Sequence, residues 1–437
     1  MTTLPRLILI LFLAGCGART EPFQAAPRPD APSYTSAVPA GGTRYSNDSI
    51  ADVFVRLTHD LEWGGSRPNL VRFEGPVTVA LTGAGAQQYQ GFLTAFLADL
   101  ADRTNIPITA TEGPASILIR LVPGAEYAIY DQNQCFVIMD QPDWKTFLES
   151  DVAGGNQFEE RTSQSLLSVI IPNTAEPYNI RECIIEEITQ ALGPANDLYS
   201  LSNSIFNDDN AHTWPTALDY LVLRVLYDPD MRTGLNRDET REKARTILHR
   251  VNPDGRQAPD LPEVLQDRFF EWREVLHRLP DDPEEKERTL SQTRALINKA
   301  RNTAPGSAYH CTALGVDASI RRQVKTDDAL DVIDLAIDVC AQLHGPNDVR
   351  IALLRLDRAY MLFHLGRYRD AVTEAEGLPE TFISHGRDGS VAAAYIVQWA
   401  ARTLRDRTDS AEKQRESAGA WAAYAFGSDN DILETFR

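Results

Sequence analysis

Residues 86–105, AQQYQGFLTAFLADLADRTN, place Tyr89, Phe92, Leu93, Phe96, Leu97 and Leu100 three or four positions apart. That spacing predicts an amphipathic helix. Ahead of it, 76–83 (PVTVALTG) is a short β-branched run, and similar runs follow at 115–123, 134–140 and 165–173. Each is bounded by Pro, Gly or Asn and predicts a strand. The next stretch, EPYNIRECIIEEITQALGP, predicts a helix capped by Asn179, with Glu182 completing a capping box and Gly193 and Pro194 ending it. The order is strand, helix, strands, helix. From about residue 237 strand signals vanish and helices follow at 261–280, 281–301, 390–404 and 411–425. The first of these carries a core stripe of Leu265, Phe269, Phe270, Trp272, Val275 and Leu276.

The amino terminus breaks this pattern. Arg6 precedes an unbroken apolar run, 7–13, followed by Leu-Ala-Gly and Cys16. The run is too short for a stable bilayer span and has the layout of a cleaved signal peptide over 1–15. Its ending resembles the bacterial lipobox, which implies cleavage before Cys16, diacylation of its thiol and acylation of the new amino terminus. Two or three acyl chains suffice for stable anchoring. Ordinary cleavage with an incidental cysteine is the alternative. Gly17 is not Asp, so the usual inner-membrane retention signal is missing. An outer-membrane lipoprotein facing the periplasm is expected. Residues 16–44 are rich in Pro, Ala, Gly and Ser without apolar periodicity, which predicts an extended, disordered tether.

The remaining length accommodates two domains, expected at 45–236 and 237–437. The formal charge is −19, and loss of Arg6 makes the mature chain more negative still. Such acidity argues against nucleic acid as a partner and against binding anionic headgroups through bulk charge. With Cys16 acylated, Cys135, Cys183, Cys311 and Cys340 remain, two in each half of the chain. Cys135 with Cys183 and Cys311 with Cys340 is the preferred pairing of three; buried free thiols are the alternative.

Candidate chemistry centres on CIIEEITQALGPAND, 183–197. Zinc proteases place H-E-x-x-H on a helix, extended in one branch to H-E-x-x-H-x-x-G-x-x-H. Here that frame reads E-E-x-x-Q-x-x-G-x-x-N over 186–196. Downstream, SNSIFND (202–208) resembles the Met-turn of matrixin-type metzincins, with Phe206 in place of Met. TWPTALDYLVLRVLYDP (213–229) resembles their closing helix through Asp219, Leu226 and Tyr227. More closely, residues about 130–236 resemble an uncharacterised bacterial family, domain of unknown function 2927, which brings no activity with it. The resemblance implies an α+β zincin-like (metzincin-like) domain, with Glu187 at the vestigial base position and Glu186, Gln190 and Asn196 at the ligand positions.

The residue types do not support zinc. Glu186 and Gln190 share one helix face, and Gly193 lets the chain return Asn196 towards it. Yet zinc prefers imidazole and thiolate, and neutral amides are poor donors. The whole region offers only His59 and His212 as substitutes. Without a metal to lower the pKa of water, Glu187 has nothing to activate. No cofactor and no metal are therefore expected. The preferred function is a catalytically inactive pseudo-peptidase that binds a protein or peptide, with Gln190 and Asn196 hydrogen-bonding each other and the backbone. Two alternatives remain open. One is a hard-cation site for calcium or magnesium built from Glu186, Glu187, Gln190, Asn196 and Asp197. The other is a metallopeptidase with unusual ligands and Glu187 as base.

In the second half, Ala359, Gly366, Tyr368 and Ala371 fall at the A-x6-G-x-Y-x-x-A spacing of a tetratricopeptide repeat, within 326–379. The resemblance implies an all-α tetratricopeptide-like domain with a peptide-binding concave face; a plain helical bundle is the other reading. His249, His277, His310, His344, His364 and His385 show no metal spacing.

Overall fold

A computed structural model describes residues 21–29, 45–61, 65–127, 135–139, 162–198, 201, 203–207, 211–261, 283–303, 306, 308–324, 328–405 and 409–427. Two compact units emerge, one over Gly17–Val264 and the other over Leu265–Ala425. Cys16, the proposed signal peptide, most of the proposed tether and the stretch 262–280 lie outside the described residues.

The first unit is built on strands β1 (Val77–Gly83), β2 (Ile108–Ala110), β3 (Ile117–Val122), β4 (Phe136–Met139) and β5 (Leu167–Pro172). They form a five-stranded sheet in the order β2-β1-β3-β5-β4. All neighbours are parallel except the edge strand β4, which runs antiparallel to β5 with Val137 opposite Val169. Every residue of β5 is buried, as expected of a strand covered on both faces. Alternate residues divide between the faces. Ile117, Ile119, Val169 and Ile171 join the main core, while Val122 and Ile170 cluster with Tyr127 and Ile138.

Among the described residues, five helices of ten residues or more belong to this unit: α1 (Asn47–His59), α2 (Gln90–Thr104), α3 (Pro177–Ala191), α4 (Ala217–Leu226) and α5 (Arg237–Val251). α2 buries Phe92, Leu93, Phe96, Leu97 and Leu100, the stripe its spacing predicts. Trp214 stands edge-on to Phe92 and Phe96, with ring centroids 6.1 and 5.7 Å away. α3 carries the zinc-like frame, and its start differs from the sequence expectation. Pro177 occupies the first turn and Glu176 the cap, so the helix begins two residues before Asn179. Proline is preorganised for that position. Asn179 instead donates its side-chain amide to Glu176 Oε2 at 3.1 Å.

The sequence reading assigned neither α1 nor the short β2. α1 is capped by the Ser46 side chain, which accepts from Ser49 N. α5, placed by the sequence reading at the start of a second domain, packs on α1 inside this first unit. Asp48, Asp52 and Asp60 pair with Arg245, Arg241 and Arg237. Asn47 and Asn252 exchange side-chain hydrogen bonds, Asn252 Nδ2 donating to Asn47 Oδ1 at 2.9 Å and Asn47 Nδ2 to Asn252 O at 3.1 Å.

The second unit is helical: α6 (Pro283–Thr303), α7 (Ala308–Val324), α8 (Ala329–His344), α9 (Val349–His364), α10 (Tyr368–Ala375), α11 (Leu378–Ser384), α12 (Asp388–Arg405) and α13 (Asp409–Phe426). α9 and α10 form a helix–turn–helix in which Gly366 takes φ +72°, and Ala359 and Ala371 are fully buried where the helices meet. Disulfides join Cys135 to Cys183 and Cys311 to Cys340, with Cα separations of 5.9 and 5.0 Å. The first fastens β4 to α3 and the second α7 to α8. Among the described residues, no helix is long and apolar enough to cross a membrane.

Candidate functional site

α3 presents Glu186 and Gln190 half-buried and Glu187 only 5 % exposed. The helix ends at Ala191, and Gly193 then adopts φ +145°. A Cβ at that position would meet Leu226 Cδ2 at 2.8 Å and the Val71 carbonyl oxygen at 3.3 Å. The glycine is thus required both by conformation and by the close approach of α4. Beyond it the chain turns back, as the motif spacing predicts.

The two amide side chains of the frame are each engaged. Gln190 Nε2 donates to both carboxylate oxygens of Asp197, at 3.1 and 3.0 Å. Asn196, buried, donates through Nδ2 to the Arg56 carbonyl at 3.1 Å. The helix is therefore tied to its own following loop, and that loop to α1. This differs in detail from the sequence expectation of a bond between Gln190 and Asn196. The partner of Gln190 is Asp197, a charged acceptor and hence a stronger one, while Asn196 reaches a helix the sequence reading had not assigned. Among the described residues, no group of three or more His, Cys, Asp or Glu side chains is arranged to hold a metal ion. By residue type, neutral amides and carboxylates with no imidazole or thiolate among them are a poor donor set for zinc. His59 is committed elsewhere. Its ring nitrogens lie 3.1 Å from the Arg67 carbonyl and 3.0 Å from Thr240 Oγ1, with burial lowering its pKa.

The turn at 203–207 and the helix α4 converge on residues 186–197. Phe206 is fully buried and its carbonyl accepts from Leu198 N at 2.8 Å, so the 203–207 turn sits against the loop carrying Asn196 and Asp197. That turn is in turn fixed by Asp219 of α4, fully buried. Asp219 accepts from Ile205 N at 3.0 Å, from Thr216 N at 2.7 Å and from the Ser204 hydroxyl, whose oxygen also accepts from Phe206 N at 3.0 Å. Burial pushes the Asp219 carboxyl up to about 6 against the opposing effect of these donors. Leu226 packs over Gly193, and the Tyr227 hydroxyl donates to the Leu192 carbonyl at 2.9 Å. The Arg72 guanidinium lies over the Tyr227 ring, 5.3 Å from its centroid, and donates to the Leu226 carbonyl at 2.7 Å. Asp219, Leu226 and Tyr227, the three residues matched in the closing helix, therefore all grip the frame or the turn beside it.

Sequence reasoning singled out Glu186, Glu187, Gln190, Asn196, Asp197 and Phe206 and did not point to the Arg56 carbonyl or Arg72, which contact the same region. The first is a backbone group on an unassigned helix. Its signal lay in the spacing of Ile50, Val53, Phe54 and Leu57, all buried in α1. Arg72 lies in an irregular segment, and nothing in the pattern singled it out.

No curated protein matches the chain, and no solved structure matches it. Residues 47–246, running from the start of α1 into α5 and so well beyond 130–236, match the model of an uncharacterised domain family described as protein of unknown function (DUF2927).

Proposed function

We propose that this chain is an envelope lipoprotein whose first unit is a pseudo-peptidase. In this reading it keeps the shape of a metzincin-like zinc frame and uses the surrounding surface to bind a protein or peptide. The observation that carries the reading is the pair of ties made by Gln190 and Asn196. Both ligand-position amides act as donors to protein acceptors, so the frame works as a hydrogen-bonded brace between helix, loop and α1. Glu187 keeps the base position, but a base of this kind acts on metal-activated water. The strand–helix–strands–helix order, with Asp219, Leu226 and Tyr227 all directed at the frame, supports descent from a metzincin-like domain. The α9–α10 helix–turn–helix with its small buried residues supports a tetratricopeptide-like second unit. Two disulfides support an oxidising compartment such as the periplasm, and the lipobox-like ending at Cys16 supports an outer-membrane anchor.

Elemental analysis of protein purified without chelators, paired with a proteolysis assay, tests the central claim. We expect no stoichiometric zinc and no hydrolysis that separates wild type from Glu187→Ala. Stoichiometric zinc, with proteolysis that disappears in Glu187→Ala, would overturn it. Crosslinking in intact envelopes should recover a specific protein partner; recovery of none would reduce the unit to a structural element.

A further inference from the structure

Residues 21–29 fall within the stretch that composition predicts to be a free tether, yet they lie against the first unit through named contacts. Gln88 sits in the single 3-10 turn between β1 and α2. Its Nε2 donates to the Phe23 carbonyl at 3.0 Å, and its Oε1 accepts from the Ala25 amide at 2.8 Å. A carbonyl and an N–H two residues apart lie on the same edge of an extended chain, so the side-chain amide pairs with that edge as a neighbouring strand would. Beside it, Gly85 has φ +87°, and a Cβ there would stand 3.1 Å from Pro22 Cβ. Pro22 therefore rests on bare backbone. Three contacts, from Pro22, Phe23 and Ala25, converge on residues 85–88.

We propose that residues 22–25 are a docked strap, an intramolecular peptide ligand of the surface at 85–88, with Gln88 as the side chain that holds it. The surface takes an extended peptide by its backbone, and its occupant is this chain's own amino-terminal segment. Composition alone conceals this, because backbone recognition demands little of the sequence. The consequence for anchoring rests on the lipid reading of Cys16 given above. Docking leaves roughly five residues between anchor and body, about 17 Å when fully extended. An undocked tether of roughly 28 residues could extend about 95 Å. The strap thus sets how far the unit stands from the membrane.

The test uses the full-length protein carrying Cys16→Ser, so that its outcome is independent of lipid. Chymotryptic cleavage after Phe23 and hydrogen exchange at the Ala25 amide report docking directly. Loss of two hydrogen bonds, each contributing roughly a factor of five, should raise both rates about twenty-five-fold in Gln88→Ala. The unfolding midpoint of the body should stay unchanged. Gln88→Glu, which keeps the acceptor and loses the donor, should fall between. Equal rates in wild type and Gln88→Ala, or a rise only in step with a lowered midpoint, would overturn the strap. Acyl labelling of wild type against Cys16→Ser tests the anchor separately.

Discussion

The two units place their charged and polar groups differently. In the first, exposed arginine–carboxylate pairs also join α1 to α5, but buried polar side chains fix the loops: Asp219 holds the 203–207 turn, and Asn196 ties a loop to α1. In the second, the conspicuous polar contacts are arginine–carboxylate pairs lying between helices nearer the surface. Arg355 and Arg358 converge on Glu374, and Arg358 also reaches Asp334, all at 2.6–2.7 Å with side chains 15–49 % exposed. Arg321 with Asp317, 6 % and 5 % exposed, is a buried exception. A helical stack needs little help to position its short turns, whereas a sheet unit with long irregular connections needs an internal partner for each of them. Buried ties should therefore dominate stability in the first unit, and surface pairs should matter little in the second.

Asp219 should give the largest effect. Asp219→Ala leaves the Ser204 hydroxyl and the Ile205 and Thr216 amides without their acceptor, at a cost of about 4 kcal/mol. Because the chain has two units, this is best read by hydrogen exchange in β5 and not from a single melting curve. The titration adds a sign. The folded carboxyl is raised to about 6, above its ordinary value of 3.8. Its contribution is full below about 4 and is lost as pH rises through 6. The advantage of wild type over Asp219→Asn should thus be larger at pH 4.5 than at pH 7.5. An advantage that grows with pH would place Asp219 in the ionised form and reverse the argument.

Gly193→Ala comes next. The substitution forces a side chain into an unfavourable φ and against Leu226 and the Val71 carbonyl, costing about 2–3 kcal/mol. Paired with Leu226→Ala, it should recover the part of that loss due to the clash. A double mutant no better than the sum of its parts would show that conformation alone requires the glycine.

The same contrast explains how much could be read from sequence. Four strands follow from short β-branched runs bounded by Pro, Gly or Asn, α2 from apolar spacing that buries one face in the core, and α3 from the Gly193 and Pro194 that end it. The frame at 186–196 was legible because helix periodicity and a glycine turn fix where its residues point. What the frame's side chains touch was not legible. Gln190 could have met Asn196 or Asp197, and the choice depends on a turn of a few residues whose path the pattern does not specify. Asn196 meets a carbonyl 140 positions away in sequence, and backbone carbonyls carry no sequence signal at all. The strap was hidden for the same reason, since Gln88 grips main-chain atoms in a stretch chosen for composition.

A double-mutant cycle on Gln190→Ala and Asp197→Ala should return a coupling of about 1–2 kcal/mol, the range for a partly buried hydrogen bond to a charged acceptor. Arg358→Ala should sit at the bottom of the series. It removes contacts to Asp334 and Glu374, but Glu374 keeps Arg355, whose Nε lies 2.7 Å from its Oε1. Solvent reaches all the partners, so the loss should be about 0.5 kcal/mol and should shrink in salt. Urea unfolding of the helical unit at low and high salt measures it. A cost near that of Asp219→Ala, insensitive to salt, would mean that the arginine–carboxylate cluster is buried in effect, and the contrast between the two units would fail at its weakest point.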